Sequence, residues 1–221
     1  MIEITQLTKR FLLPDNSHLE IFDAMDFSVD TWKFIALMGQ SGQGKTTFLN
    51  ILAWLERDYI WKVQILGNDL KNLSDTEITS FRGKHISYIF QEYNLIESLT
   101  VEENIELVLD INHIKRRYET DDILARVWLS DKKRRYPTEL SGGEKQRTAI
   151  ARSFIGETDI ILADEPTGSL DEKNAMQVMQ LLQELWSDTR QCTIIMITHS
   201  TEIAQYAQEQ YILEHKKFSK K

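Results

Sequence analysis

The apolar run Phe34-Ile35-Ala36-Leu37-Met38 leads directly into Gly39-Gln40-Ser41-Gly42-Gln43-Gly44-Lys45-Thr46-Thr47, and no other stretch constrains this chain as much. A continuous apolar run of that length reads as a strand buried on both faces, and residues from about Lys45 to Leu55 read as the helix that follows. Strand, glycine-rich turn and helix start form a phosphate cradle. Its glycines let successive backbone N–H groups curl round a β-phosphate, while the helix start adds unpaired donors and the positive end of its dipole. Lys45 offers a cation to the β- and γ-phosphates, and the Thr46 hydroxyl offers a ligand to Mg²⁺. The cradle predicts a nucleoside triphosphate ligand on an α/β core. It does not choose among kinases, GTPases and motors.

Glycine usage points to two further segments. Only nine glycines occur, and six of them are Gly39, Gly42, Gly44, Gly142, Gly143 and Gly168. A sequence that otherwise avoids glycine keeps it where backbone turns sharply or approaches something closely. Just before Gly168, Ile160-Ile161-Leu162-Ala163-Asp164-Glu165 sets two acids at the carboxyl end of a strand-like run, where ligands bind in open α/β sheets. In that place Asp164 suits the Mg²⁺ shell, and Glu165 suits a base that polarises the attacking water.

The rest of the chain fills out an α/β core made from both its ends. Residues 2–7, 19–23 and 26–29 read as short strands, as do Lys62 to Leu66 and Thr193 to Thr198. Ser74-x-x-Glu77 and Thr100-x-x-Glu103 have the capping-box form that opens helices, and residues 101–135 are mostly helical in pattern. Between residues 172 and 186, Ala175, Val178, Met179, Leu182, Leu185 and Trp186 share one helical face. The formal charge of −8 argues against nucleic acid as a partner. No apolar run reaches the roughly 18–20 residues of a membrane span, the start shows no secretion signal, and the single Cys192 fits a reducing cytosol. Basic clusters at Lys115–Arg117, Lys132–Arg135 and Lys216–Lys221 read as solvated faces, with anionic lipid headgroups as the alternative contact.

At Leu140-Ser141-Gly142-Gly143-Glu144-Lys145-Gln146 the chain resembles the ABC ATPase superfamily. Ser141-x-x-Glu144 is itself a capping box, but its two glycines are poor helix formers and make sense where a helix start must receive an anion at close range. The other motifs follow in order over essentially the whole chain. Gln91 matches the Q-loop, Ser169-Leu170-Asp171 the D-loop, and His199 the switch histidine.

The resemblance implies a phosphate-loop, RecA-like parallel-sheet core, formed by residues 1–91 and 150–221 with an antiparallel β subdomain. An inserted α-helical subdomain, 92–149, carries the signature. It also implies ATP and Mg²⁺ as cofactors, Gln91 in the metal shell, and Ser141, Gly142 and Gly143 on the γ-phosphate held by a second copy. The expected assembly is an ATP-bridged, head-to-tail homodimer, cytoplasmic and peripheral on the membrane through a separate permease. Relatives stack adenine on an aromatic near the start; Phe11 is the nearest candidate here.

About 95 residues separate Lys45 from Ser141 without a long heptad array, which excludes the branches with coiled-coil arms. The wording Phe90-Gln91-Glu92-Tyr93-Asn94-Leu95 and Ala163-Asp164-Glu165-Pro166-Thr167-Gly168 looks like the branch of macrolide and antimicrobial-peptide exporters, lipoprotein-release ATPases and the cell-division ATPase. The leading expectation is an exporter ATPase, with a cell-division regulator or a soluble ATPase of cofactor assembly as alternatives. The chain departs from its relatives where they have Gly-Glu and it has Trp32-Lys33 and Trp61-Lys62. A left-handed Trp costs on the order of 1–2 kcal/mol. Both turns are therefore expected at negative φ, with lysines in water and indoles lying on apolar surface, near each other.

Overall fold

The computed structural model describes residues 1–189 and 191–221. Two sheets meet over a common core. The smaller is antiparallel, in the order β2-β1-β4-β5, from β1 (Ile2–Leu12), β2 (His18–Val29), β4 (Ile60–Ile65) and β5 (Asn68–Asp69). The larger runs β10-β9-β3-β8-β7-β6 and comprises β3 (Phe34–Met38), β6 (Ile86–Ile89), β7 (Ile160–Asp164), β8 (Thr193–Ile197), β9 (Glu209–Glu214) and β10 (Lys217–Lys220). Its strands are parallel except for β10, which turns back along β9. All five residues of β3 and of β8 are buried, as expected for strands covered on both faces. One core layer joins β1, β2 and β4 to α1 (Lys45–Leu52); the other joins the opposite sheet face to the helices that follow β6 and β7.

Sequence signals set the helix ends. Ser74 and Thr100 form complete capping boxes on α2 (Asp75–His85) and α3 (Val101–Asn112), each side chain accepting from the N3 amide while the N3 glutamate accepts from the cap amide. The mostly helical 101–135 stretch resolves into α3, α4 (Thr120–Arg126) and a short turn, since His113 ends α3 in a left-handed conformation. The carbonyls of Lys133 and Arg135 then accept the first amides of α3. Asn104 is buried yet satisfied: it accepts from the Ile96 amide and donates to the carbonyls of Ile96, Leu99 and Thr100, which fixes the loop before α3. α5 (Gly142–Phe154), α6 (Glu172–Thr189) and the short α7 (Thr201–Ala204) complete the helices, and every apolar residue placed on one face of α6 is buried.

The strands at the start are longer than their alternation suggests, because β1 and β2 continue through irregularities at Ile4/Leu7 and Leu7/Lys9. These explain one Trp. The pairing of β1 with β4 shifts between Thr5 and Thr8, opposite Trp61, and Gln6, Ala24 and Trp61 take φ of 54°, 43° and 79° on adjacent strands. The expectation of negative φ is wrong at both positions, since Trp32 has φ 62°. Its N–H donates to Thr193 Oγ1 at 2.9 Å, and the Lys33 carbonyl accepts from Ile194 at 2.8 Å, so bonds to the start of β8 hold the turn whatever the side chain. The ladder plays that part at Trp61. The indoles do not lie on apolar surface either: Trp32 is 60% and Trp61 64% exposed. No aromatic pair joins them among the described residues. Lys33 is paired with Glu209 at 3.3 Å.

Candidate functional site

The carboxyl ends of β3, β7 and β8 bring the predicted residues to one edge of the large sheet. After β3, Gly39, Gly42 and Gly44 take φ of 150°, 77° and 102°. Gly44 is required twice over: its conformation is left-handed, and a Cβ there would lie 2.1 Å from Ile21 Cγ2. Gln43 closes the loop, its Oε1 accepting from the Gln40 amide at 2.8 Å. Ser41 is exposed and Thr47 half-buried in the first turn of α1. α1 begins at Lys45 with no side-chain cap and no acid in its first turn, so its leading amides have no side-chain competitor.

Lys45 is buried, and its ammonium donates to the carbonyls of Gly39 and Gln40 at 2.9 and 2.7 Å. Desolvation lowers its pKa, against the pull of Glu165 and Asp164. Thr46 Oγ1 donates to Asp164 Oδ1 at 3.3 Å, linking α1 to the end of β7. Burial raises the Asp164 carboxyl, opposed by that hydrogen bond. Glu165 has φ 46°, and its amide donates to the Ile197 carbonyl at 3.1 Å, which ties it to β8. His199 follows β8, and its Nε2 lies 2.6 Å from Glu165 Oε1. Gln91 follows β6, and its Nε2 and Glu165 Oε2 lie 3.3 and 3.2 Å from where a Gly168 Cβ would stand. Lys45, Thr46, Asp164, Glu165, His199 and Gln91 thus come from four segments of chain to one place.

The signature segment is built differently. Ser141 caps α5, accepting from the Glu144 amide at 3.4 Å while Glu144 Oε2 accepts from the Ser141 amide at 2.8 Å. The side-chain atoms nearest Gly142 and Gly143 belong to Tyr93, Leu170, Asn174 and Arg147, none of them in the phosphate loop. Phe11 lies on β1 opposite Leu19, half-buried against the core of the antiparallel sheet. The fully buried Lys9 sets its ammonium 4.3 Å from the Phe11 ring centroid. Two contributors escaped the sequence reading. Arg152, on α5, donates to the carbonyls of Tyr93 and Asn94, and the Tyr93 hydroxyl meets Ser169 Oγ at 2.8 Å. Nothing in their spacing signals either contact.

Comparison with known proteins agrees with this arrangement. The family model described as ABC transporter matches residues 22–168, about two thirds of the chain. The chain belongs to the ABC transporter family. The bacitracin export ATP-binding protein BceA of Halalkalibacterium halodurans is 39% identical over 209 residues, covering 93% of this chain and 82% of that protein. The macrolide export ATP-binding/permease protein MacB of Hyphomonas neptunium is 34% identical over 210 residues, with 94% of this chain covering 32% of MacB. Among solved structures, the dimeric post-hydrolysis state of the ATP-binding cassette MJ0796 bound to ADP and Pi superposes with a TM-score of 0.86 at 30% identity, covering 100% of this chain and 98% of that one. This ABC protein binds ATP and hydrolyses it to ADP and phosphate.

Proposed function

We propose that the chain is the motor of an exporter for peptides, antibiotics or lipid-linked cargo, working as an ATP-bridged, head-to-tail pair beneath a separate membrane permease. The convergence of Lys45, Thr46, Asp164, Glu165 and His199 at one sheet edge carries this reading. BceA and MacB, by their names, serve bacitracin and macrolide export, which does not favour the cell-division or cofactor-assembly alternatives. No described helix is long and apolar enough to cross a membrane, and the permease is the proposed link to one. Many side chains of the basic clusters face acids: Lys115 meets Glu157, Arg116 meets Glu106, Lys133 and Arg134 meet Glu102, and Lys216 meets Glu20.

The hydroxyl of Thr46 and the carboxylate of Asp164, already facing each other, are hard oxygen donors suited to Mg²⁺, and Gln91 would add an amide oxygen. Bound there, Mg²⁺ would neutralise charge on the β- and γ-phosphates. Lys45 exchanges its loop carbonyls for phosphate oxygens, and the uncapped amides of α1 receive the β-phosphate. Glu165 takes the proton of the water that attacks the γ-phosphorus, and the bond to the leaving ADP oxygen breaks. His199, whose Nε2 lies 2.6 Å from Glu165 Oε1, holds that carboxylate in place and reaches the γ-phosphate. Ser141, Gly142 and Gly143 of the second subunit close the site, and Phe11 stacks on adenine. The permease docks on the helical lobe of residues 92–140, where a groove lined by Phe90, Asn94, Ile111, Asn112 and Arg152 opens beside Gln91.

Mixing two inactive variants tests the head-to-tail arrangement. Lys45→Ala spoils one subunit's cradle, and Ser141→Arg spoils the segment given to the partner. A mixed pair keeps one intact composite site, so at least about a tenth of wild-type turnover is expected to return. No recovery would place both segments in a same-chain pocket.

A further inference from the structure

Tyr93 and Asn94 are consecutive left-handed residues, with φ of 64° and 47°, and neither is glycine. Arg152 stabilises them, its Nη2 donating to the Tyr93 carbonyl at 2.9 Å and its Nη1 to the Asn94 carbonyl at 2.7 Å. This backbone aims the Tyr93 ring at two segments outside its own loop. Its hydroxyl lies 2.8 Å from Ser169 Oγ, which in turn is 3.5 Å from the Gln91 carbonyl. The same hydroxyl stands 3.0 Å from where a Gly142 Cβ would be, with Leu170 Cδ2 at 3.5 Å from that point. Asn94 and Arg152 also line the groove beside β6 and α3. One side chain thus touches Ser169 and the start of α5, and its backbone is clamped by a groove residue.

We propose that Tyr93 is a positioning residue: its hydroxyl sets Ser169 and the first turn of α5 in place, and through them how this subunit completes the partner's site. This rests on the head-to-tail reading above. The path runs beside Gln91: Ser169 Oγ also donates to the Gln91 carbonyl at 3.5 Å, while the Gln91 side chain shares the space at Gly168 with Glu165. It also gives the hydroxyl a task that the ring alone cannot perform. A phenylalanine would keep the ring, whose Cζ lies 4.0 Å from the Gly142 Cβ position, and would lose the hydroxyl's closer approach there together with the tie to Ser169.

Tyr93→Phe, Ser169→Ala and the double variant test it, with amide exchange measured on the nucleotide-free chain. The Gly168 and Leu170 amides bond to the carbonyls of Glu165 and Thr167 at 2.9 and 3.1 Å, so they report on this turn. Tyr93→Phe is expected to speed their exchange about three- to tenfold, the range for losing one hydrogen bond. Ser169→Ala, which also loses the contact with the Gln91 carbonyl, should do at least as much, and the double variant no more than Ser169→Ala, because both remove the Tyr93–Ser169 link. In turnover, Tyr93→Phe should raise the ATP concentration for half-maximal rate by a similar factor and lower the saturated rate less than about twofold, with ATP binding to the monomer unchanged. Unchanged exchange, additive effects in the double variant, or faster exchange without the rise in half-saturation would overturn the role. The exchange arm needs no nucleotide, so its failure is distinct from a failed mixing experiment, which would sink the head-to-tail reading instead.

Discussion

Two glycine-bearing helix starts in this chain are built to opposite plans. α1 starts from Gly44 in a left-handed conformation, with no side-chain cap and no acid in its first turn. α5 starts from Ser141 inside a complete capping box, with Glu144 in its first turn. A helix that starts from glycine without a side-chain cap gives up roughly a few tenths of a kcal/mol of local stability, and its amides stay free for an anion. α1 makes that sacrifice, and Lys45 turns its ammonium back onto the loop carbonyls. α5 keeps its cap, consistent with a segment that must hold its shape until a phosphate arrives from another subunit. The difference separates a receiving helix start from a presenting one.

Substitutions at each start can break that contrast, and the largest effect is expected at the presenting one. Ser141→Arg places a long cation at the cap that, on the proposed head-to-tail reading, meets the partner's phosphate. Turnover should fall at least about 100-fold, while ATP binding to the isolated monomer, followed by equilibrium titration, stays near the wild-type level. Equal loss of both would erase the distinction.

At the receiving start, Gly44→Ala forces an L side chain to φ 102° with its Cβ 2.1 Å from Ile21 Cγ2. The strain and overpacking together should cost roughly 2–5 kcal/mol in denaturant unfolding and weaken ATP binding. Unaltered binding and stability would show that the loop does not depend on this glycine.

The smallest effect sharpens the comparison. Glu144→Ala removes half of the capping box and should cost about 1 kcal/mol, without loss of monomer ATP binding. Burial acts to raise the Glu144 carboxyl, but its hydrogen bonds with Ser141 outweigh that, and the folded pKa lies below the ordinary 4.5. A depressed carboxyl adds stability that is complete above its unfolded value and lost as pH falls through its folded value. The wild type should therefore lose this contribution below about pH 4.5, and the Glu144→Ala chain should show a shallower acid decline. Parallel declines would remove the capping box from the account.

Much of this contrast was legible before any coordinates. The buried strand into Gly39, the acids after Ala163 and the capping boxes at Ser74, Thr100 and Ser141 all follow from local rules, and local rules govern those places. Two kinds of feature were not. The contacts of Arg152 and Tyr93 join segments 58 to 76 residues apart, and no periodicity encodes such a meeting. The Trp turns failed for a different reason: residue preference argued for negative φ, but the ladder at Trp61 and the bonds to β8 at Trp32 fix the backbone regardless of side chain. At both, tertiary pairing outweighs a penalty of about 1–2 kcal/mol.

The central claim is that Glu165 is the base of a site completed by a second subunit. Glu165→Gln keeps the shape and loses the base, so light scattering of that variant with MgATP, read beside its turnover, tests both halves at once. The account predicts a stable dimer that appears only with ATP, and a hydrolysis rate reduced by about 10²- to 10⁴-fold. A chain that stays monomeric with ATP, or one that still turns over at more than about a tenth of the wild-type rate, would contradict it.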